Sequence, residues 1–243
     1  MWNEDSGAPL VTPERIARLR RALDRRQPDL TVVTDFVHKQ RNLSAIVRNC
    51  DAVGVTDVHA VIGDEDYRAF RGTAMGSHRW VDVHSLTTAS DALQPLRERG
   101  FQVVAAHLVP GAVNYREVDF TRPTALLFGA EKRGVSDLAA AHVDIPVTIP
   151  MLGMVSSLNV SVAAGIILAE AQAQRQAAGC YEQVRLDQAT YGRLFFEWGY
   201  PRLAAYCRER GLDYPPVNEA GDLCDPSGWY ATIRAGEDDP GET

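Results

Sequence analysis

The sequence predicts an α/β fold in which a mostly parallel β-sheet carries helices on both faces. Short β-branched or apolar runs of strand length alternate with helical stretches over residues 30–178, as is typical of parallel strands joined by helical crossovers. This alternation stops after Gly179. We therefore predict a basic helical extension over residues 1–29, the α/β core over residues 30–178, and a helical C-terminal extension over residues 179–243. The last of these is expected to end in a disordered acidic tail from Gly236.

One helix is predicted in the N-terminal extension. Pro13 stands at a favourable first helical position, Glu14 follows in the first turn, and Gln27-Pro28-Asp29 is expected to end the helix. Apolar residues at helical spacing are Ile16, Leu19 and Leu23. The same segment is crowded with arginines: Arg15, Arg18, Arg20, Arg21, Arg25 and Arg26. They fit either a solvated helix face or a surface that contacts nucleic-acid phosphates.

The core is predicted to begin with a strand over residues 30–37, which contain the β-branched run Thr31-Val32-Val33-Thr34. Asn42 is then expected to cap a helix with one apolar face. That face carries Leu43, Ile46, Val47, Cys50 and Val53. Further strands are predicted at residues 58–62, 80–83, 102–107, 124–128 and 143–149, with a helix over residues 88–99.

The last predicted helix of the core follows Asn159. Its sequence, V-S-V-A-A-G-I-I-L-A-E-A-Q-A-Q, is rich in small and aliphatic residues, so it should pack tightly against the sheet or a partner. In the C-terminal extension the apolar residues of the predicted helices are Leu194, Phe195, Phe196, Leu203 and Ala204. The turn-rich Tyr214-Pro215-Pro216 comes after them.

Composition and motifs exclude several protein classes. The chain has 45% apolar residues and a formal net charge of −7, without a membrane-spanning run or a secretory signal, so we expect a cytoplasmic protein with no membrane partner. Its four cysteines form no C-x-x-C pair, and the histidines show no metal-ligand spacing, so no metal is expected. No G-x-G-x-x-G, P-loop, H-E-x-x-H or G-x-S-x-G sequence is present, which disfavours dehydrogenases, NTPases and common hydrolases.

Three segments remain that could carry chemistry. In N-L-S-A-I-V-R, helical spacing places Arg48 beside Ser44 and away from the apolar face; it could be a solvated arginine or a catalytic group. In L-L-F-G-A-E-K-R-G, a strand runs into a glycine-flanked turn containing Glu131, which could be a ligand-binding turn or an ordinary loop. In I-P-M-L-G-M-V-S-S-L-N, an apolar loop must be buried against a neighbouring loop, a subunit or an apolar cofactor.

These three segments, in this order, resemble the motifs of the SpoU (SPOUT) family of RNA ribose 2′-O-methyltransferases. The resemblance implies S-adenosylmethionine as the methyl donor, an obligate homodimer, and a trefoil knot formed by the C-terminal part of the sheet, about residues 126–173. Matched to the family motifs, the catalytic residues would be Arg48, Asn42, Glu131, Ser157 and Asn159. The cofactor would be bound around Ala106, Gly129, Ile149, Met151 and Leu158.

The flanking sequences R-R-Q-P-D-L-T-V-V, V-H-K, F-E-W-G-Y-P and Y-P-P-V-N resemble those of the family members that modify tRNA. They imply that the substrate is guanosine 18 in the D-loop, with ribosomal RNA or the tRNA anticodon loop as the alternative. The expected RNA-binding residues are Arg15, Arg18, Arg21, Arg41 and Arg202. Gln40-Arg41 departs from the family pattern before Asn42, a difference that bears on tRNA selectivity. A binding protein without catalytic activity and a small-molecule methyltransferase are the other classes considered; the complete motif set disfavours the first and the basic extensions disfavour the second.

Overall fold

The computed structural model describes residues 11–62 and 79–237. These residues form two units. One unit covers Asp24–Leu186 and contains the sheet; the other is built from the two terminal segments, residues 11–23 and 187–237.

Seven parallel strands form one sheet in the larger unit. In chain order they are β1 (Leu30–Asp35), β2 (Asp57–Val61), β3 (Asp82–Leu86), β4 (Gln102–Ala106), β5 (Val113–Asn114), β6 (Thr124–Gly129) and β7 (Ile145–Thr148). Their order across the sheet is β3-β2-β1-β6-β4-β7-β5, and all neighbouring strands are parallel. The predicted fold class is therefore confirmed. The trefoil knot stays a prediction.

Helices cover both faces of this sheet. In the described residues of the larger unit the α-helices are α2 (Gln40–Ala52), α3 (Ala89–Glu98), α4 (Asp137–Ala140) and α5 (Val160–Ala177). Buried residues of α2 and α5, including Ile46 and Leu168, pack in one cluster with Val32 and Val104 of the sheet. Buried residues of α3 and α4 pack in a second cluster with alternate strand residues such as Val33. Because successive strand side chains point to opposite faces, the two clusters are the two layers of the core.

The smaller unit is entirely helical in its regular structure. It contains α1 (Pro13–Leu23), α6 (Gln188–Gly199), α7 (Pro201–Arg210) and α8 (Pro226–Glu237). As predicted, α1 begins at Pro13, and the Thr12 hydroxyl accepts a hydrogen bond from the Arg15 N–H at 3.3 Å. Helix α8 extends to Glu237, and the disordered acidic tail expected from Gly236 stays a prediction. The remainder of that tail, residues 238–243, lies outside the described residues.

The segment between α1 and β1 differs from the prediction. The helix ends at Leu23, and Arg26 is buried instead of lying on a solvated helix face. Its guanidinium donates to the Asp51 carboxylate at 2.7 Å and to the Val55 carbonyl at 2.9 Å. Arg26 therefore stabilises the fold by tying this segment to the end of α2.

The start of α2 also differs from the prediction. Lys39 is the N-cap residue and makes no side-chain capping bond, so Asn42 lies inside the first helical turn and does not cap it. Its side-chain amide is free to bond elsewhere.

Candidate functional site

A cavity of about 500 Å³ opens at the carboxyl ends of three neighbouring strands. Ala106 of β4 is in register with Phe128 of β6 and with Val147 of β7, so the three strands end at the same level. Ligands of open α/β sheets bind at this edge, and the volume lies in the range of small-molecule sites, roughly 300–1,000 Å³. All five residues expected to bind the cofactor line the cavity: Ala106, Gly129, Ile149, Met151 and Leu158.

Side chains from all three predicted motifs are linked at this cavity. The Asn42 amide donates a very short hydrogen bond to the Glu131 carboxylate. The Asn159 amide donates to the Asn42 carbonyl oxygen at 3.2 Å. Asn159 is also the N-cap of α5, where its own carbonyl oxygen accepts from the Ser161 N–H at 2.8 Å. Since Glu131 and Asn159 both line the cavity, this chain of bonds fixes two polar groups at its wall.

The turn that carries Glu131 is tightly closed. Gly134 adopts φ +70° and donates its N–H to the Ala130 carbonyl at 2.8 Å. A Cβ added to Gly129 would lie 2.2 Å from the Gly134 carbonyl carbon, so only glycine permits this approach. Beyond the turn, the Ser136 N–H donates to Asp35, a carboxylate that is only 1% exposed, at 2.7 Å. Asp35 therefore holds the end of the turn to β1.

The apolar loop after β7 is only partly buried within this chain. Met151 and Leu158 line the cavity, whereas Leu152 and Met154 are fully exposed and Val155 is largely exposed. Exposed apolar side chains in one continuous patch are typical of an interaction surface.

The structure does not bring every predicted catalytic residue to the cavity. Ser157 lines it. Arg48 does not: it is exposed on α2, where helical spacing turns it away from Asn42. In the described part of the chain, the Arg48 side chain has neither a hydrogen bond nor an ion pair. Glu131, Ser157 and Asn159 therefore line the cavity. Asn42 does not line it but is bonded to Glu131 and Asn159.

The cavity also has ionisable lining residues that the sequence prediction missed. They are Lys39, His107, Lys132 and Arg133. The sequence contains a signal for the two lysines, which are the only lysines of the chain: Lys132 stands in the second motif segment and Lys39 in the flanking V-H-K.

The residues expected to bind RNA are exposed: Arg15, Arg18, Arg21, Arg41 and Arg202. Arg41 lies on α2 in the larger unit, and the other four lie in the smaller unit. The Arg15 guanidinium also donates to the Trp198 carbonyl at 3.0 Å, so part of its role is structural.

In residues 11–62 and 79–237, no group of three or more His, Cys, Asp or Glu side chains could hold a metal ion. Within the same ranges, every helix is too short or too polar to span a membrane.

Comparison with known proteins identifies relatives over most of the chain. The model of the SpoU rRNA methylase family matches residues 29–169, and that of the SpoU rRNA methylase C-terminal region matches residues 173–226. The tRNA (guanosine(18)-2′-O)-methyltransferase of Escherichia coli K12 is 48% identical over 227 residues, which is 93% of this chain and 99% of the relative.

Solved structures show the same similarity. The crystal structure of the A. aeolicus TrmH/SpoU tRNA modifying enzyme has 42% identity and a TM-score of 0.70, covering 77% of this chain and 96% of that one. The SpoU methyltransferase AviRb from Streptomyces viridochromogenes, solved in complex with the cofactor AdoMet, has 29% identity and a TM-score of 0.55, covering 62% of each chain.

Proposed function

This chain belongs to the SpoU rRNA methylase family, and from that premise we propose that it is a tRNA (guanosine(18)-2′-O)-methyltransferase of the TrmH type. It transfers a methyl group from S-adenosylmethionine to the ribose 2′-hydroxyl of guanosine 18 in the D-loop. The observation that carries the proposal is the meeting of all three motifs at one cavity, through the bonds that join Asn42, Glu131 and Asn159. The relative of that function spans 93% of this chain.

The cavity fits S-adenosylmethionine. Its apolar lining includes Phe128, Val147 and Ile167, which suit an adenine ring and a thioether. Gly129 permits the tight turn that forms this part of the cavity wall, because a Cβ there would clash with the backbone of Gly134. We assign cofactor binding to the five lining residues named for it above, from Ala106 to Leu158.

S-adenosylmethionine, when bound, supplies an electrophilic methyl group on a sulfonium. The side chains of this chain have to hold the ribose 2′-oxygen in line with that methyl group and stabilise the charge that develops on the oxygen. Glu131, oriented by the Asn42 amide, and Ser157 offer hydrogen-bonding groups at the cavity wall. The proton of the 2′-hydroxyl leaves to solvent late in the reaction. No bound metal takes part in this proposal.

We assign Arg48 to the RNA and not to proton removal. An unperturbed guanidinium has a pKa of about 12.5–13.8 and is a poor base, whereas its positive charge can hold a phosphate and stabilise a developing alkoxide. A pH–rate profile for wild type and Arg48→Lys separates the two roles. Loss of one titrating group in the variant alone would mean that Arg48 is the base.

We further propose that the protein works as a homodimer. Arg48 lies off the cavity of its own chain, and the exposed Leu152 and Met154 beside the cavity need a covering surface. A second copy of the chain would supply an Arg48 to this cavity and a surface that covers these apolar side chains. Mixing an Arg48→Ala chain with a Gly129→Ala chain tests this: regained activity is expected if Arg48 serves the partner's cavity, and none if each chain is self-sufficient.

The exposed arginines Arg15, Arg18, Arg21, Arg41 and Arg202 are proposed to contact the tRNA backbone. Affinity for tRNA should then fall steeply as salt rises, because each neutralised phosphate releases counterions. Equal affinity at low and moderate salt would contradict these contacts. A tRNA substrate also agrees with the cytoplasmic location expected from the sequence.

The proposed activity is tested directly with purified protein, unmodified tRNA transcript and methyl-labelled S-adenosylmethionine, followed by mapping of the labelled nucleotide. Label on the ribose of guanosine 18 that is lost in Arg48→Ala is the expected result. Label in the anticodon loop, or on ribosomal RNA offered in parallel, would mean that the protein methylates another RNA position than guanosine 18. Absence of label from guanosine 18, from the anticodon loop and from ribosomal RNA would refute the methyltransferase proposal.

A further inference from the structure

The rim of the cavity has a marked excess of positive charge. Its ionisable lining residues are Lys39, His107, Glu131, Lys132 and Arg133. The single carboxylate, Glu131, is already bonded to the Asn42 amide. We call Lys39, Lys132 and Arg133 the cationic rim.

The cationic rim contrasts with the rest of the chain. The net charge is −7, and of the 25 lysine and arginine residues the only two lysines, Lys39 and Lys132, both belong to the rim. All three rim side chains are exposed. Across the described ranges none of them has a carboxylate within ion-pair distance, whereas Arg26, Arg97, Arg175 and Arg185 do. Their charge is therefore available to a ligand.

This charge does not suit the methyl donor. S-adenosylmethionine carries a sulfonium and an ammonium against one carboxylate, so three additional cations beside it would on balance oppose its binding. They would favour a polyanion that approaches the cavity from solvent. A lysine ammonium is a compact point charge that binds phosphate without demanding a fixed bidentate geometry.

We propose that the cationic rim binds the RNA phosphates that flank the reactive ribose. This inference rests on the proposed function, since it assumes that the RNA presents a ribose to this cavity. Lys39 is fixed at the N-cap of α2, and Lys132 and Arg133 lie in the turn closed by the bond between Gly134 and Ala130. The rim therefore approaches a phosphate from two elements, the start of α2 and the turn that carries Glu131, which are joined by the bond between Asn42 and Glu131.

The scarcity of lysine gives a direct test by amine acylation. Full-length protein is treated with an acetylating reagent alone, with S-adenosylmethionine, or with tRNA transcript, and acetylation of Lys39 and Lys132 is followed by peptide mass spectrometry. We expect tRNA to slow acetylation of both lysines at least fivefold and the methyl donor alone to change it less than twofold. Protection by the donor alone, or none by tRNA, would overturn the proposal.

Matched charge variants give the second measurement. Lys39→Gln/Lys132→Gln/Arg133→Gln removes the rim, and Arg97→Gln/Arg99→Gln/Arg116→Gln removes as many exposed cations that do not line the cavity. The rim variant should raise the KM for tRNA about tenfold and lower the slope of log KM against log salt by about two, since each phosphate contact contributes roughly 0.7–0.9. Its affinity for S-adenosylmethionine should stay within twofold of wild type.

The outcomes separate this proposal from the proposed function. An equal rise in the KM for tRNA in the rim and control variants would mean a general effect of charge and would refute phosphate binding by the rim. Methylation of guanosine 18 without protection of the lysines would refute the rim and leave the function intact. Protection by RNA without methylation of guanosine 18 would support the rim and reject that substrate position.

Discussion

Replacing Gly129 by alanine should weaken cofactor binding at least tenfold, because the added methyl group would clash with the backbone of the turn that follows β6. An ideal Cβ at this position lies 2.2 Å from the carbonyl carbon of Gly134, 2.3 Å from its oxygen and 2.3 Å from the nitrogen of Val135. Ordinary contact begins at 3.4 Å. The neighbouring backbone would therefore have to retreat by about 1.2 Å, the difference between 3.4 and 2.2 Å.

The structure resists that movement at both ends of the turn. The Gly134 N–H is bonded to Ala130, and the Ser136 N–H is held by the buried Asp35 carboxylate. Overpacking of this kind costs about 1–3 kcal/mol. Because Glu131 lies in the same turn, it should be displaced from Asn42, and a displacement near 1 Å in an active site costs on the order of a hundredfold in rate.

Titration calorimetry with S-adenosylmethionine and single-turnover methylation are the assays. For Gly129→Ala we expect at least a tenfold weaker cofactor affinity and about a hundredfold lower rate. Gly192→Ala, on the exposed side of α6, is the control, because a Cβ there would meet no described heavy atom within 4 Å; it should bind and react within twofold of wild type. A Gly129→Ala protein that binds the cofactor and reacts within threefold of wild type would refute the steric argument.

Three other substitutions test the framework around the site. Arg175→Met removes a fully buried guanidinium that makes five hydrogen bonds, and it should lower the free energy of unfolding measured in urea by about 3–5 kcal/mol. Arg97→Met, at an exposed ion pair, should lower it by less than about 1 kcal/mol. Similar losses of stability in the two variants would contradict the role of burial. Burial lowers the pKa of His59 from 6.5 to about 4, so the unfolded chain binds its proton more readily and stability should fall as pH decreases from about 6.5 to about 4. His59→Phe should reduce that fall, and an unchanged pH dependence would exclude His59 as its source. Asp35→Asn should lower kcat about tenfold, because the bond to Ser136 loses its charge, with KM for tRNA within twofold; a change in KM alone would contradict a positioning role.

The strands were predictable where their side chains are buried on both faces. In β1 and β4 almost every residue is buried, so a continuous apolar or β-branched run marked them. The edge strand β3 was predicted at residues 80–83 but spans Asp82–Leu86, since its exposed residues give no apolar run. The two-residue β5 was missed because it is too short to produce a pattern.

The sequence motifs predicted which residues belong to the candidate site but not how these residues contact one another. They gave Asn42, Glu131 and Asn159, and the structure adds that these three are bonded to one another. The arginines show that a run of like residues does not predict which side chains are buried. Arg26 and Arg18 stand in the same basic run, yet one is buried in an ion pair and the other is exposed, and only tertiary contacts separate them.

The net charge of the chain does not predict whether it binds nucleic acid, because burial and pairing of individual charges decide which of them act at the surface. A net charge of −7 disfavours nucleic-acid binding only if the charge is spread evenly over the surface. The potential at an RNA phosphate is set mainly by charged groups within about 8 Å in physiological salt. Among the described residues, the charged groups at the cavity are three cations without a carboxylate partner and one carboxylate that is bonded to the Asn42 amide. Arg26 and Arg175, by contrast, are buried in ion pairs and contribute little to the potential at the surface. An acidic protein can therefore bind RNA at this edge of the sheet, because cations outnumber carboxylates there.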